Sequence, residues 1–376
     1  MMIVMPVLLL VVLGYAASFD VKTVSVAVAG PQASVVRAIL PSSSFDITQS
    51  APGQHRSWAQ DQLRDGNDEM AVVTGGTRPL VLIDGSQLFA ARAALTYLAG
   101  LERRASGAGG AAVLPVAPKV TILYNPGLTT SDIMIPGLCG VVLVFVGTII
   151  TSLGVVRERQ SGTLEQLAVM PLRPRDVFLG KIVPYFAVAA VDLAIVLGIG
   201  IAVFGVPFRG SALVFALGAL LFLFVTLGIG VLISTVSQNQ GQAIQLAVMT
   251  MLPQVLLSGL IFPLSSIVAG VRWIAYLLPL TYFNEIARGV MLRAEPIGAL
   301  WQPFVFLALL GLVVVSLAIL RFRAYLAPAP AGRKRLRSPA DHGGRGQRGD
   351  QAGQADTPGG NEAGGVAAAR GHGQSA

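Results

Sequence analysis

The stretch IMIPGLCGVVLVFVGTIITSLGVV, residues 133–156, carries no charge and exceeds the roughly 20 apolar residues that a helix needs to cross a bilayer. The segment RERQSGTLEQLAVMPL follows it at 157–172, and its arginines indicate the cytoplasmic side by the positive-inside rule. Other apolar stretches cover residues 182–204, 212–236, 243–267 and 301–320, with 1–17 at the short limit. We therefore predict a polytopic α-helical membrane protein with six spans and both ends in the cytoplasm.

The composition excludes an ordinary soluble enzyme. Of 376 residues, 53% are hydrophobic and 12% are charged, whereas soluble domains carry roughly 25% charge. The net charge of +8 arises within and after the apolar region, so it indicates contact with membrane lipid rather than with nucleic acid. The single cysteine, Cys139, lies in an apolar run and leaves no intramolecular disulfide to form.

Residues 18–132, between the first two predicted spans, read as a small α/β domain on the extracytoplasmic side. Short runs rich in β-branched residues alternate there with stretches of helical pattern, which favours this fold class. Strands are predicted at 23–28, 70–74, 80–83 and 119–124, and helices at 32–40, 57–63 and 86–101. The turn Asp84-Gly85-Ser86 is expected to cap the last of these helices.

The last segment, residues 321–376, is predicted to be a basic, disordered cytoplasmic tail. It is rich in Gly, Gln and Ala, and it has too few large apolar residues to offset the entropy of ordering. Its cluster at 333–337 follows a predicted span, so we interpret it as an anchor to anionic lipid, with a nucleic-acid patch as the alternative.

Motifs for catalysis are missing from the sequence. Gly180-Lys181 is followed by Ile182, so it does not form a phosphate-binding loop, and ATP hydrolysis would need a separate chain. The three histidines lie outside the predicted spans, which excludes an intramembrane zinc protease on ligand count. We expect a non-catalytic chain that binds no metal or cofactor itself.

Two features of the predicted spans are candidates for a translocation path. Asp192 is an isolated carboxylate deep in a span; it is either functional or a structural partner at a helix contact. Thr250, Gln254 and Ser258 recur on one helical face, and this stripe either lines a path or forms hydrogen bonds between helices.

Residues 163–170 are predicted to form a short cytoplasmic helix. Gly162 interrupts the preceding helix, Thr163 and Gln166 form a capping box, and Pro171 ends the new helix. Leu164 and Leu167 share one stripe with Glu165 beside it. Such a helix could bind a groove on a partner or rest on the lipid surface, and the spacing leaves both open.

Several motifs, taken in order, resemble the permeases of the type 2 ATP-binding-cassette exporter family over residues 3–323. The strongest is Arg-Glu-Arg at 157–159 with Gly162-Thr163-x-Glu165, Pro171-Leu172 and then Gly180-Lys181. Others lie at 6–16, 21–30, 84–86, 124–126, 136–138, 258–263, 279–282 and 288–289. The family usually begins with an amphipathic helix before the first span, whereas Met1 lies inside the predicted span.

The resemblance implies a half-transporter whose permease dimer sits on two separate ATPase chains, which bind ATP and Mg. In that family the helix at 163–170 transmits ATPase closure, and a re-entrant region lies at 262–293. The implied coupling residues are Arg157, Glu158, Arg159, Gly162, Thr163, Leu164, Glu165, Leu167 and Pro171. The implied outer gate is formed by Pro263, Arg272, Pro279 and Tyr282.

From these features we expect the permease subunit of an ATP-driven exporter in the bacterial inner membrane. It would move a hydrophobic or amphipathic small molecule, a drug or a lipid, out of the cytoplasm or inner leaflet. Its partners would be the ATPase, a second permease copy and a periplasmic adaptor. The alternatives are a proton-coupled secondary transporter that uses Asp192, and a scaffold or receptor that acts through its external domain.

Overall fold

The computed structural model of the chain describes residues 21–76, 78–107, 118–161 and 174–326. An N-terminal α/β domain is followed by a helical region. The predicted first span, the predicted coupling helix at 163–170 and the tail beyond residue 326 lie outside the described residues.

Five strands of the described residues form a mixed sheet in the order β2-β1-β3-β4-β5. Strand β1 pairs in parallel with β2 and β3, β4 is antiparallel to β3, and β5 is parallel to β4. The carboxyl ends of β4 and β5 therefore lie at the same edge as the amino end of β3. The strands are β1 Val24–Ala29, β2 Phe45–Ala51, β3 Met70–Val73, β4 Leu80–Asp84 and β5 Lys119–Leu123.

Helices cover both faces of this sheet because alternate residues of a strand point to opposite sides. Val26 and Val28 pack on the face covered by α1, Ala33–Ile39, and α3, Leu88–Gly107. Ala27 packs on the other face, with α2, Arg56–Arg64. Four strands coincide with predicted ones to within one residue, whereas β2 was not predicted.

The helical region contains helices that are long and apolar enough to span a membrane. Four of the described helices meet that description: 130–160, 183–204, 212–236 and 301–321. The first is continuous but has a π-helical turn, Phe145–Ile150, in its middle. The helices are α4 Thr130–Val144, α5 Thr151–Gln160, α6 Pro174–Phe204, α7 Ala212–Val236, α8 Gln240–Leu257, α9 Ala269–Ala275, α10 Pro279–Arg288 and α11 Trp301–Leu326.

Helix α7 lies at the centre of this region and packs against α4, α5, α10 and α11. Glycines permit the close approach to the α4–α5 helix. A Cβ added to Gly230 would lie 3.1 Å from the Thr148 carbonyl oxygen and 3.0 Å from the Thr151 Cβ. Small residues at such contacts let helix backbones approach closely in a membrane.

The predicted fifth span, 243–267, is wrong at its C-terminal end, because α8 ends at Leu257. Gly259 then adopts a φ of +80°, a conformation that other residues rarely take, and Pro263 cannot donate a helical hydrogen bond. The chain continues through short helices up to a π-helical turn, Gly289–Arg293. We call residues 258–293 the broken-helix segment. The predicted tail boundary is also wrong, because Arg321 lies inside α11.

Candidate functional site

A cavity of about 320 Å³ lies between the edge of the sheet and the broken-helix segment. The domain contributes Glu69, which immediately precedes β3, and apolar residues from the start of α3. The helical region contributes polar and charged groups: Ser258, Thr281, Asn284, Glu285, Arg288 and Arg293. The cavity thus combines apolar walls with a few converging polar groups, which is typical of a small-molecule site.

The predicted polar stripe of α8 leads to this cavity. The Thr250 hydroxyl donates to the Leu246 carbonyl at 2.9 Å, and the Gln254 amide donates to the Thr250 carbonyl at 3.4 Å. The Gln254 Oε1 is buried without a hydrogen-bond partner among the described residues. Ser258 caps the helix and lines the cavity. The stripe therefore ends in the cavity.

Asp192 lies elsewhere. Its helix, α6, packs mainly against α4, α7 and α11, whereas α8 packs mainly against α5, α7, α9 and α10. The Asp192 side chain is partly exposed on α6. The structure therefore does not bring Asp192 together with Thr250, Gln254 and Ser258 in one site.

Helix α10 supplies polar groups to the cavity. The Asn284 amide donates to the Ser258 hydroxyl at 3.1 Å, and its Oδ1 has no partner among the described residues. Arg288 donates from Nη2 to the Gly259 carbonyl at 3.0 Å, and its Nε has no described partner. Glu285 is exposed to the cavity, one turn before Arg288. Buried polar atoms without partners are uncommon in folded proteins. Asn284 Oδ1 and Arg288 Nε are therefore available to form hydrogen bonds with a ligand, the first as an acceptor and the second as a donor.

A buried ionic cluster joins the domain to the helical region beside the cavity. Arg293 Nη1 lies 3.4 Å from Asp84 Oδ2, and the same guanidinium pairs with Glu295. It also donates to the Ser86 hydroxyl at 3.4 Å, and the Ser86 backbone donates to Asp84 at 2.8 Å. Asp84 is fully buried and Arg293 is 5% exposed. The cluster therefore connects the end of β4 to the end of the broken-helix segment.

Burial also raises the pKa values of the acidic residues near this junction. Desolvation raises the pKa of Asp84 above its ordinary value, although Arg293 counteracts the shift. Desolvation raises the pKa of Glu295 to about 7 in spite of the same cation. It likewise raises the pKa of Glu69 to about 7, and the Ser25 backbone N–H opposes that shift. Protons are therefore held more tightly here than by exposed carboxyl groups.

The predicted gate residues fall within the broken-helix segment. Pro263 lines the cavity, and Pro279 begins α10. Arg272 donates to the Ser265 and Ile267 carbonyls at 2.8 and 2.9 Å. The Tyr282 hydroxyl donates to the Tyr276 carbonyl at 2.7 Å. Arg272 and Tyr282 therefore hold the short helices together.

At the opposite end of the helical region, α5 is tied to the α7–α8 turn. The Arg159 guanidinium donates to the Ser234 carbonyl at 3.4 Å and also to the Ser237 carbonyl. Gln240 donates to Gln160 at 3.0 Å. Arg157 is exposed and Glu158 is partly exposed. The other predicted coupling residues lie outside the described residues: Gly162, Thr163, Leu164, Glu165, Leu167 and Pro171.

Comparison with known proteins identifies the family of the chain. A sequence model described as "ABC-2 family transporter protein" matches residues 1–320. The chain belongs to the ABC-2 transporter family. This finding confirms the resemblance seen in the sequence and makes the chain a multi-pass transport permease of the ATP-binding-cassette class.

Relatives support the same class. The chain is 27% identical over 353 residues to "Probable multidrug ABC transporter permease YbhS" of Escherichia coli K12, covering 86% of this chain and 91% of that protein. It is 32% identical over 200 residues to the E. coli K12 permease YbhR, covering 53% and 54%. It is 31% identical over 212 residues to "Inner membrane transport permease YhhJ" of the same strain, covering 55% and 56%.

Sequence reasoning did not single out the groups that define the cavity of this ABC-2 permease. Asn284 was not selected, and Glu285, Arg288, Arg293 and Glu295 were not linked to one another. The sequence did offer one signal, because these four charges lie within the 11 residues 285–295, at the end of the region predicted to re-enter the membrane. Charges within membrane segments are costly, and they mark functional sites by default.

Proposed function

We propose that this chain is the permease subunit of an ATP-driven exporter for hydrophobic or amphipathic small molecules, drugs or lipids. It carries no ATPase motif, so a separate ATP-binding-cassette chain would bind ATP and Mg and hydrolyse the nucleotide. A second permease copy, the same or a sister chain, would complete the transporter in a bacterial inner membrane.

The observation that carries this proposal is the continuity of the α8 stripe with the cavity. Polar groups run from Thr250 to Ser258, and the cavity opens where the helix stops. The broken-helix segment begins at that point, and its residues Ser258, Gly259, Pro263 and Leu264 line the cavity. Non-helical backbone at membrane depth is tolerated where it is buried in protein or lines a water-filled cavity.

Orientation gives this path a direction. Arg157 and Arg159 are at the end of the helical region opposite the α/β domain, and arginine-rich ends face the cytoplasm. The cavity would then open outward, beneath an external domain that could also contact a periplasmic adaptor. The ATPase would bind at the arginine-rich end through the helix predicted at 163–170.

The test is transport into everted vesicles from cells that express the chain with its ATPase. Vesicles should accumulate a fluorescent amphiphile when given ATP, and a proton uncoupler should not abolish the uptake. Glu165→Arg should leave the chain inserted and dimeric but remove ATP-driven uptake. Asp46→Arg, a charge reversal at an exposed position of β2, is the matched control and should transport normally.

Two outcomes would contradict the proposal. Uptake that follows a pH gradient without ATP and depends on Asp192 would favour the proton-coupled carrier. A chain that binds an external protein tightly, with no substrate flux under any condition, would favour the scaffold or receptor.

A further inference from the structure

Two charges of opposite sign face the cavity without an ion-pair partner among the described residues. Glu285 and Arg288 are three positions apart on α10, and such positions are neighbours on a helix surface. Neither forms a salt bridge within the described part of the chain. Arg288 uses one nitrogen for the Gly259 carbonyl at 3.0 Å and leaves its Nε unpartnered.

The other charged residues that line the cavity, Arg293 and Glu69, already have contacts within the protein. Arg293 is shared between Asp84 and Glu295. The Glu69 carboxylate accepts the Ser25 backbone N–H at 3.1 Å. Glu69 also forms no ion pair in the described part of the chain, but burial raises its pKa to about 7, so Glu285 and Arg288 are the groups that remain to bind a ligand as opposite charges.

Asn284 indicates which kind of ligand the cavity would bind. Asn284 is 3% exposed, lines the cavity and presents an unpartnered Oδ1 acceptor. Its amide nitrogen is used by Ser258, which fixes the oxygen as the free atom. An oxygen acceptor near a carboxylate suits a ligand that carries several N–H donors, such as a primary ammonium.

We propose that the cavity binds the zwitterionic head group of an amphiphile. Glu285 and Asn284 Oδ1 would hold its ammonium, and Arg288 would hold its phosphate or carboxylate. The apolar tail would lie along Leu88, Phe89, Ile133, Pro263 and Leu264, which also line the cavity. This inference rests on the proposed function for its transport role, but the binding itself does not require an ATPase.

Four probes with matched chemistry test the head-group assignment. The tagged full chain in maltoside detergent is immobilised, and retention of radiolabelled dodecylphosphoethanolamine is measured. Unlabelled dodecylamine, dodecyl phosphate and tail-free phosphoethanolamine compete with it. The zwitterionic amphiphile should bind at least about tenfold more tightly than each of the other three, since one charge-assisted contact is worth about this factor.

Variants assign each charge to its partner. Glu285→Gln should weaken dodecylphosphoethanolamine about tenfold and leave dodecyl phosphate unchanged. Arg288→Gln should weaken dodecylphosphoethanolamine similarly and leave dodecylamine unchanged. Asp46→Asn and Arg92→Gln each remove a charge of the same sign at an exposed position of the domain and should alter none of the affinities.

Equal affinities for the zwitterionic, cationic and anionic probes would overturn the proposal, and so would an equal affinity for tail-free phosphoethanolamine. If either α10 variant fails to fold, the probe series on the unmodified chain still decides the question. Selective binding without ATP-driven flux would uphold this inference and refute the proposed export function. Flux without head-group selectivity would do the reverse.

Discussion

Replacing Arg293 by methionine should test whether the buried ionic cluster holds the α/β domain on the helical region. The substitution keeps a long side chain but removes the cation that Asp84 and Glu295 share. Both acids remain buried, at 0% and 3% exposure. The native fold of the variant must then either hold unpaired charge or take up protons.

The magnitude follows from the cost of protonation. Protonating a carboxyl with an ordinary pKa of 3.8 costs about 4.4 kcal/mol at pH 7, which limits the ionic penalty at Asp84. Removing one partner of a buried pair costs about 3–5 kcal/mol, so we expect a loss of about 4 kcal/mol at pH 7. At pH 5 the same protonation costs only about 1.6 kcal/mol.

The sign of the pH dependence is fixed by the raised pKa of Asp84. A folded state that holds a proton more tightly than the unfolded state gains stability below the unfolded pKa, and the gain disappears as the pH rises through the folded pKa. Removing Arg293 raises that folded pKa further. The stability deficit of the variant should therefore grow from pH 5 to pH 8.

The assay is thermal unfolding of the full chain in maltoside detergent, followed by circular dichroism from pH 5 to pH 8. The variant should unfold on the order of 10 °C below the unmodified chain at pH 7. Arg64→Met is the control, because Arg64 pairs with Asp61 and Asp65 at 3.2 Å while 40% exposed. It should lose less than about 1 kcal/mol. If Arg293→Met loses no more stability than this, or if its loss is independent of pH, the cluster does not hold the domain on the helical region.

Three further predictions concern other contacts. Arg159→Gln removes donors to the end of α7, so amide hydrogen exchange of residues 234–240 should accelerate by about tenfold, the factor for about 1.4 kcal/mol. Gly230→Leu inserts a side chain where α7 touches α4 and α5, and thermal unfolding should show a loss of at least about 1–3 kcal/mol. Burial raises the pKa of Glu69 to about 7, so its ionisation should lower the stability of the fold as the pH rises from 4.5 to 7. Glu69→Gln should remove that decline in a pH series of unfolding temperatures.

Each of these changes has a matched control. Arg157→Gln alters an exposed arginine two positions from Arg159, and equal exchange in both variants would contradict the capping role. Gly198→Leu places the same side chain where a Cβ meets nothing within 4 Å, and an equal loss there would contradict the packing explanation. Glu102→Gln lies at an exposed position, and a pH profile altered as in Glu69→Gln would contradict the effect of burial.

Local pattern predicts most of the regular elements. β1, β3, β4 and β5 are short segments rich in β-branched residues, and α7 coincides with its predicted apolar stretch of 212–236. β2, Phe45–Ala51, was missed because it is an edge strand with the sequence FDITQSA and mostly exposed side chains. An edge strand buries too little surface to impose a clear apolar alternation.

Apolar content alone could not show where α8, the helix of the fifth predicted span, ends. Hydrophobic residues continue past Leu257, so the prediction extended to residue 267 across the Ser258-Gly259 break. The ionic cluster was beyond sequence reasoning for another reason, since Arg293 and Asp84 are 209 positions apart. Contacts of that range depend on how the sheet edge meets the helices, and one sequence does not specify this.

Purification of the tagged chain from native membranes would show whether this permease works with a separate ATPase. Mass spectrometry would identify the proteins that accompany it in stoichiometric amounts. We expect a cytoplasmic protein that carries Gly-x-x-x-x-Gly-Lys-Ser/Thr and is lost when Glu165 and Leu167 are mutated. A chain that purifies alone, or only with an external protein, would contradict this expectation.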